Sequence, residues 1–129
     1  MCACRTADQG LALQALARQR DASGELRLDA VKLSHQGSRA NVTNDLLAVV
    51  RADHYVFSTN GAIFHHPDDE AVARVLVHGG FQPTIWSNYE TERNRRWNAA
   101  DLRARYRSEV RYPEPGQTGV TLAIAARRL

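Results

Sequence analysis

The strongest constraint on this chain is the order of its apolar patterns. Helical spacing and short strand-like runs take turns along the sequence. From Ala7 to Arg20, Leu11, Leu13, Leu16 and Ala17 recur among good helix formers, which predicts a helix. After a turn at Asp21–Gly24, Leu26, Leu28, Ala30, Val31 and Leu33 predict a strand. Asn41 or Thr43 can cap a second helix that carries Leu46, Leu47, Val49 and Val50. A second strand is expected over Tyr55–Thr59 and a third helix from Pro67, with Asp68, Asp69 and Glu70 in its first turn and Gly79–Gly80 at its end. Thr84–Trp86 predicts a third strand, and a polar segment follows that turns helical from about Asn98. Val110–Tyr112 and Val120–Ala125 alternate around Pro-Glu-Pro-Gly, which predicts a terminal hairpin. Such alternation implies parallel strands with helical crossovers, hence an α/β fold.

The 129 residues suit one domain, spanning 1–129. A hydrophobic share of 43% and a charged share of 24% fit a globular protein. No apolar run reaches membrane-spanning length, and the N-terminus lacks the order of a signal peptide, so a cytoplasmic protein without a membrane partner is expected. Cys2 and Cys4 sit one residue apart, where a disulfide would close almost no loop. The net charge is +3, carried almost wholly by arginine, since Lys32 is the one lysine. That balance permits a nucleic-acid partner without arguing for one.

In parallel α/β sheets ligands bind beyond the C-terminal ends of the strands. Here those ends carry Ser34-His35-Gln36-Gly37-Ser38, then Ser58-Thr59-Asn60-Gly61 leading to His65 and His66, then Ser87-Asn88-Tyr89-Glu90. Neighbouring strands would bring these clusters to one rim, where Ser38, Asn60 and His65 are candidate binding residues. His35, His65 and His66 are candidate metal ligands, with Asp68 or Asp69 nearby. The aspartates have a simpler use as helix N-terminal charges. Ser58 or Ser38 with His66 could make a nucleophile, but no Gly-x-Ser-x-Gly elbow is present. No Walker loop or Gly-x-Gly-x-x-Gly occurs, leaving only the Gln-Gly-Ser loop to offer N–H groups to an anion. Arg93, Arg95, Arg96, Arg103, Arg105 and Arg107, with Trp97 and Tyr106 between them, could bind nucleic acid by charge and stacking. A solvated face anchored by Trp97, Leu102 and Tyr106 explains them as well, and Glu90, Glu92, Asp101 and Glu109 dilute the charge.

The stretch VKLSHQGSRAN, then VFSTNG, then HHPDDEAVARVL resembles the C-terminal half of metallo-β-lactamase-fold hydrolases, in the branch of the competence-protein domains. The resemblance covers residues 26–129; 1–24 form an N-terminal helix of uncertain role. In that branch the strand ends in Ser/Pro-His-His-Gly-Ser, and a later loop carries Gly-His-Pro. The resemblance implies half of an αββα sandwich: one mixed sheet with helices packed on it and the terminal hairpin. It also implies zinc-dependent hydrolysis of phosphodiester or ester bonds, with His35 as a late metal ligand or its neighbour and His66 near the site.

Two departures count against activity. The family's His-x-His-x-Asp-His is nowhere in the sequence, whose remaining histidines are His54 and His78. The family pair His-His reads His35-Gln36 here. Either family histidine could be the ligand; if it is the second, a neutral amide replaces it, and an amide is a poor zinc ligand. His65 stands where the family often has glycine. The expectation is therefore a truncated, metal-free relative acting as a binding or assembly module, with no cofactor for this chain alone. One sheet face would need cover from the first helix, from a second copy in a homo-oligomer, or from another chain. Two alternatives stand: a zinc hydrolase completed by another chain or a longer polypeptide, and an arginine-rich nucleic-acid binder.

Overall fold

The computed structural model describes residues 5–125; Cys2 and Cys4 lie outside them. Helix α1 (Arg5–Ala17) leads into β1 (Leu26–Lys32), and a tight turn at Ser34–Gly37 precedes α2 (Asn44–Val49) and β2 (Val50–Phe57). Helix α3 (Asp69–His78) joins β2 to β3 (Thr84–Ser87). Two short helices, α4 (Glu92–Arg95) and α5 (Ala100–Tyr106), lead to β4 (Glu109–Arg111). The strands form one four-stranded sheet in the order β1-β2-β3-β4. Every pairing is parallel. Among the described residues no helix is long and apolar enough to cross a membrane.

The α/β class is therefore as expected, but the sheet is parallel throughout rather than mixed, and the terminal hairpin is not formed. Val110 pairs in parallel with Ile85. Residues 120–125 belong to no strand. A turn in which the Gln117 N–H donates to the Glu114 carbonyl reverses the chain, and the Gly119 N–H then donates to the Asn88 carbonyl at 3.2 Å. That bond pulls the segment inward past the end of β3, away from the outer edge of β4 where a hairpin partner would lie.

Crossovers between parallel strands are right-handed as a rule, and strands in sequential order then have all their connecting helices on one face. The core has that composition. Tyr55, Phe57, Ile85 and Val110 from the sheet, with Leu33 just after β1, meet Leu47 of α2 and Ala71, Val72, Val75 and Leu76 of α3. Trp97 and Tyr106 pack at its margin. On the opposite face, Ala30, His54, Val56, Thr84 and Trp86 are only half-buried, and Lys32, Glu109 and Arg111 are exposed. Helix α1 touches α2. It thus sits on the helix-bearing side, and the expectation that it might cover the second sheet face is not met.

Several boundaries differ from the sequence reading for identifiable reasons. Thr43 caps α2 by accepting the Leu46 N–H at 3.1 Å, but that helix stops at Val49, and Val50 opens β2 five residues earlier than expected. Burial along β2 falls at Val50 and Ala52, then at Tyr55 and Phe57, so its phase slips by one residue. The pairs with β1 stop at Leu28–Ala52 and resume at Ala30–His54 across the same point. Arg51, Asp53 and His54 therefore break the alternation by which a strand is recognised. Helix α3 starts at Asp69, with Pro67 outside it. Thr91 and Asn94 form a capping box that starts α4, which was not expected.

Tyr55 closes the slip. Its ring is fully buried, its hydroxyl accepts the Ala52 N–H at 3.2 Å, and it donates to the Gly79 carbonyl at 2.6 Å. Burial pushes this hydroxyl's pKa up from the ordinary tyrosine value. One side chain thus satisfies a strand donor and a helix-end acceptor that water does not reach. Tyr55→Phe removes both partners at once and is expected to cost about 1–3 kcal/mol in urea unfolding, with the sheet otherwise intact.

Candidate functional site

The rim is built from three strand ends. After β1 the chain turns within Ser34–Gly37 using three successive residues of positive φ, His35 at 46°, Gln36 at 58° and Gly37 at 83°. Gly37 is the position that cannot change. A Cβ there would stand 2.3 Å from the Phe57 ring and 2.8 Å from Pro67. Close approach at Gly37 lets the two sequence motifs touch. The Asp68 N–H donates to the Gly37 carbonyl at 3.0 Å, and the Arg39 N–H donates to Asp68 Oδ2 at 2.8 Å. Asp68 therefore serves the loop after β1; its side chain makes no cap to its own helix.

The other strand ends are joined by short polar side chains. The Thr59 N–H donates to Asn88 Oδ1 at 2.7 Å, and the Thr59 hydroxyl donates to Gln36 Oε1 at 3.2 Å. Asn60 folds back to accept the Ala62 N–H. His65 lies in the left-handed region, and the His66–Pro67 peptide is cis.

Two cavities open on this rim, and His66 borders both. One, of about 300 Å³, is lined by His35, Gln36, Ser38, Phe64 and His66. The other, of about 520 Å³, has Asn60, His65 and His66 on one wall and Thr91, Arg93 and Arg96 among those opposite. The candidates His35, His66 and Ser38 are thus brought to one cavity, and Asn60, His65 and His66 to its neighbour. Ser38 Oγ accepts the Ala40 N–H at 3.3 Å. Sequence reasoning missed Phe64 as a wall residue, since a lone apolar side chain in a polar loop carries no pattern.

His66 Nδ1 lies 3.4 Å from Asp68 Oδ1 with no hydrogen bond to it, while the other oxygen of Asp68 holds the Arg39 N–H. The Gln36 amide oxygen is taken by Thr59. Among the described residues no group of three or more His, Cys, Asp or Glu side chains is placed to hold a metal ion. His35 and His66 alone leave a tetrahedral ion short of ligands.

The arginine-rich segment is used to fasten the rim. Asp69 receives both Arg93, at 3.4 Å, and Arg96. Arg96 also lies over the Trp97 ring, 5.1 Å from its centroid. Arg95 binds Glu90 at 3.0 Å. Trp97 packs against the core rather than standing free to stack on a base. Arg103 is exposed on α5. The buried Asn94 donates to the Tyr89 carbonyl, and its own carbonyl accepts the Tyr112 hydroxyl. Burial and the Glu90 charge, against the opposing charge of Arg95, push that hydroxyl's pKa up to about 12.

No protein-family model, no curated protein and no solved structure matches the chain.

Asp69 gives the rim an acid sensitivity. Partial burial pushes its pKa up, but the hydrogen bonds and charges of Arg96 and Arg93 outweigh burial and hold it below the ordinary 3.8. A carboxyl depressed on folding contributes stability that is present above its unfolded pKa and lost as pH falls through the folded value. Stability is therefore expected to fall on acidification below about pH 4, and Asp69→Asn should flatten that part of the curve. Thermal melting of both proteins from pH 7 to pH 3 measures it.

Proposed function

We propose that this chain is a binding and assembly module, corresponding to the C-terminal half of a metallo-β-lactamase-like sandwich, whose open sheet face packs against a second copy. The observation that carries this reading is the one-sided covering of the sheet. Helices bury Tyr55, Phe57, Ile85 and Val110 on one face, while Ala30, Val56 and Trp86 on the other stay half-exposed. Sheets bury such faces by stacking on one another about 10 Å apart. Trp86 is already oriented for this. Its Nε1–H donates to His54 Nδ1 at 3.1 Å, and Arg111 lies over its ring. An aromatic held by its neighbours loses little freedom when a partner closes over it.

Sedimentation across a wide concentration range tests the proposal. The expected result is a dimer that Val56→Glu converts to monomer without changing the melting temperature by more than a few degrees. A wild-type monomer at every concentration removes this function.

The cavity shared by His35 and His66 favours a second reading: a metal-dependent hydrolase of phosphodiester or ester bonds, completed by ligands from another chain or a longer polypeptide. Zinc analysis of protein purified without chelator separates the two. The assembly reading expects no stoichiometric zinc. Stoichiometric zinc that is lost in both His35→Ala and His66→Ala would replace it with the hydrolase reading.

A further inference from the structure

The arginines near the C-terminal end of the fold divide into two groups. Arg93 and Arg96 are held by Asp69, Arg95 by Glu90 and Arg111 by Glu109. Arg103, Arg105 and Arg107 are exposed and form no ion pair among the described residues. Two of these lie over aromatic rings instead. Arg105 is 5.5 Å from the centroid of Tyr106, and Arg107 is 5.4 Å from that of Phe81. A guanidinium over a ring keeps N–H donors at its edge for phosphate oxygens. Residues 101–111 carry Arg103, Arg105, Arg107 and Arg111 against Asp101 and Glu109, so the patch is net positive.

Phe81 stands out in this patch. It is 75% exposed, yet its loop is anchored on both sides. Before it, the Gly79 carbonyl accepts the Tyr55 hydroxyl at 2.6 Å. After it, Pro83 is fully buried and its carbonyl accepts the Glu109 N–H at 3.2 Å. Between these anchors Gly80 has a φ of 116° and Gln82 a φ of 55°. Left-handed backbone is unfavourable for a glutamine. The loop thus holds a strained conformation that keeps a phenyl ring out in water. Cations at the end of α5 suit the helix dipole, but the dipole does not account for that ring beside them.

The patch is separate from the histidine rim. Arg107 stands two residues before β4 and Phe81 three residues before β3. All strands are parallel, so both residues lie at the strand starts, while His35 and His66 follow strand ends.

We propose that this patch binds single-stranded nucleic acid, with phosphates on Arg103, Arg105 and Arg107 and a base stacked on Phe81. Arginine and an exposed aromatic together form the sequence-tolerant platform such strands use. Arg103 and Arg107 are one helical turn apart and share a face. A duplex hides the base faces that an aromatic needs. A lipid surface would find one large exposed apolar side chain between Gly79 and Pro83, too little for insertion. The ring is already fixed by its loop, so little freedom is lost on binding.

Fluorescence anisotropy of the full chain with a labelled oligodeoxythymidine, across a range of salt, tests this. Binding is expected at low salt, with a slope of log K against log salt of about −2, as for three phosphate contacts to a single strand. Phe81→Ala should weaken binding about fivefold or more and leave the slope unchanged. Arg103→Gln and Arg105→Gln should each flatten the slope by about 0.7. These side chains are exposed, so the variants should melt as the wild type does. No binding at low salt overturns the proposal, as does equal affinity for a duplex of the same length. An affinity untouched by Phe81→Ala removes the stacking platform and the proposal with it. Vesicles containing phosphatidylserine that bind where the oligonucleotide does not would replace it with a membrane surface.

Discussion

Four parallel strands in sequential order, each joined to the next by a right-handed crossover, can carry their helices on one face only. Most of what is distinctive here follows from that constraint. It places Leu47, Val72 and Val75 over Tyr55, Phe57 and Ile85, and so defines the core. It puts all four C-terminal ends on one rim, because parallel strands point the same way. It also leaves Ala30, Val56 and Trp86 half-buried on the face opposite the helices of the core. The site and the open face have the same topological origin.

Within that frame, two local fits hold the rim in place. Gly37 must lack a side chain so that the loop after β1 can rest on Phe57 and Pro67. Asp68 and Asp69 then reach in different directions, the first to the Arg39 backbone and the second to Arg93 and Arg96. The His-Pro-Asp-Asp stretch therefore acts as a clasp between the loop after β1 and the arginine-rich segment. Beside this clasp, His66 Nδ1 stands 3.4 Å from the second oxygen of Asp68 without a hydrogen bond.

Much of this was legible beforehand. The α3 stripe of Val72, Val75 and Leu76 repeats at helical spacing, and Gly79 ends it, because those signals depend only on residues one turn apart. The convergence of His35, His66, Ser38 and Asn60 on one rim followed from strand direction alone. The start of β2 was not legible. Its alternation changes phase between Ala52 and Tyr55, and the repair is a hydroxyl that reaches the end of α3, a contact distant in sequence. Nor was the fate of Val120–Ala125, whose pattern is a strand's but whose tether to Asn88 removes it from the expected hairpin.

The amino-acid sequence by itself determined the α/β class, the alternation of helices and strands through β3, the glycine-containing turn after β1 and the clustering of polar residues at strand ends. These depend on periodicity, capping and turn chemistry, all of which act over a few residues. Tertiary structure alone decided that the last strand joins the sheet in parallel rather than in a hairpin, that Trp97 packs on the core while Arg93 and Arg96 bind Asp69, and that one sheet face carries no helix. Those outcomes depend on which distant groups compete for the same partner, and on where the chain must pass to reach them. A local pattern cannot encode such competition, because the energies being compared exist only once the strands are assembled.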